Sequence, residues 1–505
     1  MTSEYTQLEQ VRLEKLERLK EKGIEPYPNR AERTHTSLEA VREFEESEAK
    51  DGAAPVTATL AGRLRSIRPM GKITFAHIED GDGRLQIFLR ANDIGQEQLE
   101  LFNREFDLGD FIQASGEMFR TRTGEATLRA NQVRLLAKSI TPLPAAKDEL
   151  VDGQVVRHAA LTDPETRYRQ RYADLAINPQ VREIFKTRAA LIRALRDFLD
   201  ARGFIEVETP VLQPIYGGAA ARPFVTHHNQ LKQDLYLRIS FELYLKRLLV
   251  GGLERVYEIG RDFRNEGVDR THNPEFTMLE FYMAYADYYS VMDLTEEMVT
   301  YAAERVTGTL RLNYQGREIN LERPWKRIEL NEAVLELAGI NLEDYPTAES
   351  LAGAMRAREI QFDPKAPRGK LIDKLLSEYV EPALIQPTFL YNYPRDISPL
   401  AKSRPGNPQI VERFEGFVAG FEICNAFTEL NDPLDQEARF LEMGREYGVE
   451  DEERHPMDED YLQALRYGMP PTGGFGMGID RLTMLLTDSP NIREVILFPH
   501  LRKEE

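Results

Sequence analysis

Between residues 55 and 138 the chain is cut into five short pieces, VTATLAGRLRSIRP, KITFAHIED, GRLQIFLR, DFIQASGEMFRT and ATLRANQVRLLAKS. Apolar and polar residues alternate in them, so each buries one face as a strand. Gly81-Asp82-Gly83 supplies the tight turn between the second and third. A helical stretch, Ile94–Phe106, stands between the third and fourth. Strands this short need a closed partner arrangement. Five of them with a helix after the third predict a small β-barrel.

That order of elements fits the OB barrel. Ahead of it, residues 5–23 form an amphipathic helix with Leu8, Val11, Leu16 and Leu19 near helical spacing, stopped by Gly23, Pro26 and Pro28. Residues 30–54 read as a polar helix plus linker, and TPLPAAKDE (141–149) as a proline-bearing linker. From about 165 onward helices and strands mix without repeats. Residues 181–201 form a helix with Ile184, Leu191, Leu195 and Phe198 on one face, ended by Arg202-Gly203. FIEVETPVL follows as a strand ending at Thr209-Pro210. The fold class is multidomain α+β. Its parts are an N-terminal helical extension (1–54), a barrel (55–140), a linker (141–165) and a large domain (166–505).

Composition narrows the function. Two or three domains suit 505 residues, and 42% apolar with 30% charged residues is globular, not disordered. One cysteine excludes a disulfide framework and a Cys-based zinc site, and points to a reducing compartment. The N-terminus has no signal-peptide apolar core and no run is long enough to span a membrane, so a cytoplasmic location is expected. A net charge of -19 argues against a histone-like nucleic-acid binder. Residues 55–140, however, hold 12 basic and 11 acidic side chains, so the barrel remains a candidate for nucleic acid through shape and stacking.

Three blocks in the large domain carry chemistry. RGFIEVETPVL (202–212) is a helix-turn-strand closed by proline. ERVYEIGRDFRNEGVDRTHNPEFTMLEFYMAY (254–285) sets two apolar runs around a loop dense in Arg, Glu, His and Asn. A solvated hairpin explains those charges, but not Arg264 beside Phe263 on a half-buried strand, because an unpaired buried arginine is costly. TGGFGMGIDRLTMLLT (472–487) packs glycines that let backbone approach a ligand, and Arg481 opens the following helix. There is no Walker A sequence and no dinucleotide-binding glycine fingerprint.

In this order and spacing the blocks resemble motifs 1, 2 and 3 of the class II aminoacyl-tRNA synthetases. With the barrel included, the chain from about residue 10 resembles the class II lysyl-tRNA synthetases. Neither class I signature is present. The resemblance implies a six- or seven-stranded antiparallel sheet flanked by helices and a homodimer built on motif 1. It implies ATP held by Arg264 at the α-phosphate and Arg481 at the γ-phosphate, which suits the planar guanidinium. Glu266, His272 and Asn273 then contact adenine and phosphates, and Phe276 stacks on the adenine ring. Glu415 and Glu422 correspond to glutamates that bind Mg²⁺, for which carboxylate oxygens are suitable ligands. Seven residues apart on one strand they would face opposite ways unless a turn or bulge intervenes.

For lysine the resemblance implies Glu242 and Glu429 as ammonium ligands, with Tyr282 and Asn425 also contacting the substrate. Glu280 and the backbone at Gly218 hold its α-amino group. The segment RISFELYLKR departs from the Ala-Pro that commonly precedes this glutamate in the family. On the barrel, Phe75, Gln86 and Glu117 correspond to positions that recognise the central anticodon uridine, by stacking and edge hydrogen bonds; Phe75 as plain barrel core is the rival reading. His227-His228 and Cys424 read as structural. The implied reaction is ATP-dependent activation of L-lysine and its transfer to lysine tRNA. An aspartyl or asparaginyl enzyme of the same subclass, and a non-catalytic OB-fold RNA-binding paralogue, are the alternatives.

Overall fold

The computed structural model describes residues 5–50, 54–144, 147–151, 154–158, 161–446 and 456–503. Parts of the expected linkers (51–53, 145–146, 152–153 and 159–160) lie outside the described residues. The chain divides into two units, Met1–Leu161 and Thr162–Glu505.

In the first unit, helix α1 (Gln7–Glu21) starts at Thr6, whose side chain and Glu9 form a reciprocal capping box. Helix α2 (Ser37–Glu48) starts the same way at Thr36 and Glu39. Five strands follow: β1 (Thr57–Met70), β2 (Ile73–Glu79), β3 (Arg84–Arg90), β4 (Phe111–Arg120) and β5 (Ala126–Ala137), with helix α3 (Gln96–Glu105) between β3 and β4. They close in the order β1-β2-β3-β5-β4, the barrel expected from the alternation. Leu60, Leu64, Ile78, Ile87, Ile112 and Leu128 point inward and are buried. Leu19 of α1 and Ala40 and Phe44 of α2 join the same core, so the N-terminal extension packs on the barrel. The segment read as a bare linker carries a hairpin of Lys147–Val151 and Gln154–His158.

The second unit opens with helix α4 (Pro179–Asp200), β6 (Ile205–Glu206), helix α5 (Glu242–Val250), β7 (Arg255–Phe263), β8 (Glu275–Ala284) and helix α6 (Tyr288–Thr307). It continues with β9 (Lys326–Glu329), β10 (Thr388–Pro394), β11 (Ser403–Arg404), β12 (Asn407–Val418), β13 (Phe421–Thr428), β14 (Thr472–Gly478) and helix α7 (Ile479–Leu486). The sheet runs β9-β10-β12-β13-β14-β8-β7-β6, with β11 on β12. Its six central strands are antiparallel, while β9 and β6 join the two edges in parallel. The expected antiparallel sheet of six or seven strands is present, and added strands make the whole a mixed sheet of nine. The additions are short edge strands with no sequence signal of their own. FIEVETPVL is likewise not one strand: only Ile205–Glu206 pairs with β7, and Leu212–Gln213 belongs to a separate three-stranded sheet.

Alternation splits the large sheet into two faces. Leu279, Phe281, Phe475, Met477, Cys424 and Ala426 face the core shared with α4 and α6. Glu280, Tyr282, Asn425, Gly474 and Gly476 face the other side, where the cavity lies. Glu280 sits opposite Gly476, and Tyr282 opposite Gly474, across the β8–β14 ladder. The cavity floor is thus built of carboxylate and aromatic side chains standing over bare backbone.

Candidate active site

One cavity of about 920 Å³ opens on that face. Gly218, Glu242, Arg264, Glu266, His272, Asn273, Phe276, Glu280, Tyr282, Glu415, Glu422, Asn425, Glu429 and Arg481 all line it. Fourteen positions spread over more than 260 residues of sequence converge on one site.

Its acidic end is made by Glu242, Glu280 and Glu429, all buried. Glu242 opens α5, and its N–H donates to Ser240 Oγ (3.1 Å). Ser240 Oγ in turn donates to Glu280 Oε1 (3.0 Å), and Tyr282 OH donates to Glu280 Oε2 (3.2 Å). The departure at Ser240-Phe241 therefore gives the carboxylate an extra donor and fills the proline position with a fully buried ring. Burial pushes the Glu280 carboxyl well above the usual carboxylate range, and Asp262 and Glu242 add to it. Burial raises Glu429 as well. Close approach is built into the backbone: a Cβ on Gly474 would stand 1.8 Å from Glu429 Oε1 and 2.6 Å from Tyr282 Cε1. Gly218 has φ +89°, and its added Cβ would meet Ser240 Oγ at 2.9 Å.

The sequence reading missed Lys246. It lies one turn after Glu242, wholly buried, paired with Glu242 Oε1 (2.5 Å) and with Glu429. The spacing of four on a helix was the available signal. Burial alone would lower its ammonium, but Glu242 and Glu429 hold it above the ordinary lysine value.

At the other end, Arg481 Nη1 donates to the Glu422 carbonyl (2.8 Å) and to Glu422 Oε2 (3.0 Å). Its Nη2 lies 3.1 Å from His272 Nε2. Arginine only donates, so the imidazole proton sits on Nδ1, 2.8 Å from Asp269. Arg481 thereby joins the loop after β7 to the β13 glutamate. Arg264 lies just past the end of β7, with its guanidinium 5.1 Å over the Phe276 ring. Its nearby anion within the protein is Asp262, whose carboxyl burial pushes up to about 7 against the pull of Arg264 and Arg238. Asn273 is buried and its Nδ2 donates to the Glu275 carbonyl (2.6 Å), while its Oδ1 has no hydrogen-bond partner. Glu266 is exposed at the rim.

Glu415 and Glu422 lie on neighbouring strands. Ala419 (φ 57°) and Gly420 (φ 84°) turn the chain between them, and the β12–β13 register slips at Gly416/Phe417. The bulge brings Glu422 round to the Glu415 side of the sheet. Arg413 ties this region together by donating to Glu415 Oε1 (2.5 Å) and Asn425 Oδ1 (3.0 Å). A third carboxylate, Glu381, is pushed up to about 7 by burial and by Glu415 and Glu422. Arg413 stands two residues before Glu415 on β12 itself, whereas Glu381 comes from a short helical turn, Glu381–Ala383, outside the sheet; the sequence reading singled out neither. Cys424 is buried with its thiol pushed well up by burial, and a Cβ on Gly416 would come within 2.6 Å of its sulfur. His227 pairs with Asp234 and His228 Nδ1 accepts from the Leu231 N–H, both local contacts.

On the barrel, register aligns Arg68, Phe75, Phe88, Arg129 and Glu117 in one row across the strands. The next row runs Ser66, His77, Gln86, Thr127 and Phe119. Phe75 therefore stands on the outer face, half-buried, not in the barrel core. Its ring packs on Phe88 (5.0 Å between centroids), and Phe88 on Phe119 (5.8 Å). Gln86 Nε2 donates to Glu125 Oε2 (2.9 Å) and its Oε1 accepts from Thr127 (3.0 Å). Phe88 and Phe119 extend the aromatic surface, and only the pairing of strands brings them beside Phe75.

Comparison with known proteins agrees with these geometries. Residues 163–502 match the family of class II tRNA synthetases (D, K and N), and residues 58–136 match the OB-fold nucleic acid binding domain. A lysine–tRNA ligase from Roseiflexus castenholzii is 54% identical over 99% of this chain and 100% of its own length. Lysine–tRNA ligases from Pelotomaculum thermopropionicum (53%, covering 99% of this chain and 96% of the relative) and Moorella thermoacetica (52%, 98% of each) are similarly alike. An OB barrel followed by a glycine-floored antiparallel site, matched over this length, means that the chain belongs to the class II tRNA synthetases of the D, K and N group.

Proposed function

We infer that the chain activates L-lysine with ATP and transfers the lysyl group to tRNA. The observation that carries the choice of lysine is the acidic pocket end. Three buried carboxylates meet there, and the cation among them, Lys246, is already paired. An aspartate side chain would enter carboxylate against carboxylate, and an asparagine amide would leave buried charge uncompensated. The reading by which Glu242 and Glu429 receive the ε-ammonium, with Tyr282 and Asn425 along the stem and Glu280 and the Gly218 backbone at the α-amino group, gives each of the three buried carboxylates a partner.

In activation the lysine carboxylate attacks the α-phosphorus of ATP and pyrophosphate departs. The chain supplies positioning and charge, not a nucleophile. Arg264 pairs with the α-phosphate and Arg481 with the γ-phosphate. Phe276 stacks on adenine, while Glu266, His272 and Asn273 contact adenine and phosphates. The tRNA terminal hydroxyl then takes the acyl group from the adenylate.

Glu415 and Glu422 fit a Mg²⁺ ion. They are hard oxygen donors, and the crowding that raises Glu381 is what a cation relieves. Among the described residues no group of three or more His, Cys, Asp or Glu forms a ready metal cage, so phosphate oxygens would complete the shell. When bound, the ion supplies neutralisation of phosphate charge.

For assembly we propose a homodimer through the first block, where Ile205, Val211 and Leu212 are large apolar residues left exposed in the single chain. No described helix is long and apolar enough to cross a membrane. The single, buried thiol suits the reducing cytoplasm.

Amino-acid-dependent ATP–pyrophosphate exchange tests this function, with lysine, aspartate, asparagine and ornithine compared. Exchange is expected with lysine and not with aspartate or asparagine. Glu429→Gln should raise the lysine KM by roughly 100-fold, the scale of breaking a buried charge pair. Robust exchange with aspartate would overturn the lysine reading. On the barrel, Phe75→Ala should lower kcat/KM for lysine tRNA roughly 10–100-fold, the worth of one stacked base. Pyrophosphate exchange, which needs no tRNA, should not change; unaltered charging kinetics would remove Phe75 from the anticodon site.

A further inference from the structure

We propose that Lys246 is a positioning residue of the lysine pocket, whose buried ammonium clamps Glu242 and Glu429 together and leaves the pocket with the charge that a diammonium substrate neutralises. The proposal rests on the lysine reading of that pocket.

The geometry is specific. Lys246 follows Glu242 by one turn of α5, so both side chains lie on one face of the helix. Glu429 reaches the same ammonium from the end of β13, where its N–H donates to the Thr472 carbonyl (2.8 Å). The rings of Phe427 (5.4 Å) and Tyr282 (6.0 Å) flank the ammonium. Lys246 has no exposed surface, and Glu429 is 1% exposed. Beyond its ion pair to Lys246, Glu429 has no hydrogen-bond partner for either oxygen. A second donor is missing at a carboxylate that lines the cavity, and a substrate ammonium would provide it.

Charge counting then separates a working role from mere filling. Glu242, Glu280 and Glu429 bring three negative charges, and Lys246 returns one. Two remain, which are the two ammonium groups of free lysine. An amino acid with an uncharged side chain neutralises only one and leaves a buried carboxylate unpaired. Without Lys246 the three carboxylates would crowd without any internal cation, and one would take up a proton in place of binding substrate. The other groups facing this cluster are Tyr282 and Tyr461, both raised by burial, with Arg413 acting on Glu242, and Asp262 acting on Glu280. Of these only Arg413 is cationic, and it is already committed to Glu415 and Asn425.

The sign of the pH effect follows. The carboxylates must be ionised to receive ammonium groups, so lysine binding strengthens as pH rises through their elevated range. Removing Lys246 lifts that range further, and moves the inflection to higher pH.

The test is the lysine KM and kcat in pyrophosphate exchange, followed from neutral to alkaline pH, for wild type, Lys246→Met and Lys246→Arg. Lys246→Met should raise KM roughly 100-fold at neutral pH. KM should fall back towards wild type as pH rises, with kcat at saturating lysine changed only a few-fold. Lys246→Arg keeps the charge and should keep the wild-type inflection. A folded Lys246→Met protein with an unshifted inflection overturns the proposal, whatever its KM. If Lys246→Met does not fold, the charge-matched Lys246→Met/Glu242→Gln pair decides. Recovered folding supports the role of charge, and failure to fold overturns it. Glu429→Gln separates the two layers: an unchanged lysine KM there sinks the pocket assignment itself, not the role of Lys246 alone.

Discussion

Gly474→Ala should abolish most lysine activation while leaving the fold standing. The added methyl would fall 1.8 Å from Glu429 Oε1 and 2.6 Å from the Tyr282 ring. Neither can yield cheaply: Glu429 is paired to buried Lys246, and Tyr282 is buried with its hydroxyl on Glu280. Displacing Glu429 removes a proposed ligand of the substrate ammonium, and kcat/KM for lysine should then fall about 100-fold or more. The ATP KM should stay near wild type, because Arg264 and Arg481 are not touched by the change. Gly476→Ala is the matched control. Its nearest neighbour is the terminal Met278 Cε at 3.3 Å, a flexible end that can shift. Steady-state exchange kinetics and thermal melting of both variants check this. Equal loss in the two would mean that the glycine strand is needed for packing in general, and not for closeness at the acidic end.

The second large effect is expected at Arg481. It donates to the Glu422 carbonyl and carboxylate and to His272, so one side chain links β13, the loop after β7 and α7 at the end proposed to hold the phosphates. Arg481→Ala should cut adenylate formation by roughly 100–1,000-fold, the scale found for losing a preorganised donor at developing charge. Lysine KM should move little. Arg481→Lys should restore only a small part, since an ammonium cannot make the forked set of bonds. Single-turnover formation of lysyl-adenylate measures this directly. A variant with near wild-type single-turnover rate would take Arg481 out of the phosphate site.

The sequence was most informative where one physical constraint forces a residue type. Alternation announced the barrel because a closed sheet must bury one face of every strand. The glycines at 474, 476 and 478 were visible because β14 has backbone where other strands have side chains. The pairing of Glu415 with Glu422 was not legible from spacing. It depends on a turn at Ala419-Gly420 and a register slip, and both are decided by pairing partners far along the chain. Lys246 was overlooked for a different reason: a lysine on an amphipathic helix is ordinarily solvated, and only burial from β13 and Tyr461 reveals its place. The two edge strands were missed because strands of two and four residues have no periodicity to read. The aromatic row on the barrel was half legible. Phe75 was singled out, but Phe88 joins it only through the β2–β3 register.

Cys424, sealed in the core behind the glycine strand, has a practical consequence. It is the chain's only sulfhydryl, and it is shielded from reagent by both burial and a suppressed thiolate. A cysteine introduced at the barrel surface or on the rim of the cavity would therefore be the sole reactive handle on the native background. Fluorescent or spin probes can be attached there one at a time, without first engineering a cysteine-free parent, and tRNA docking and lysine binding followed on the otherwise unaltered polypeptide.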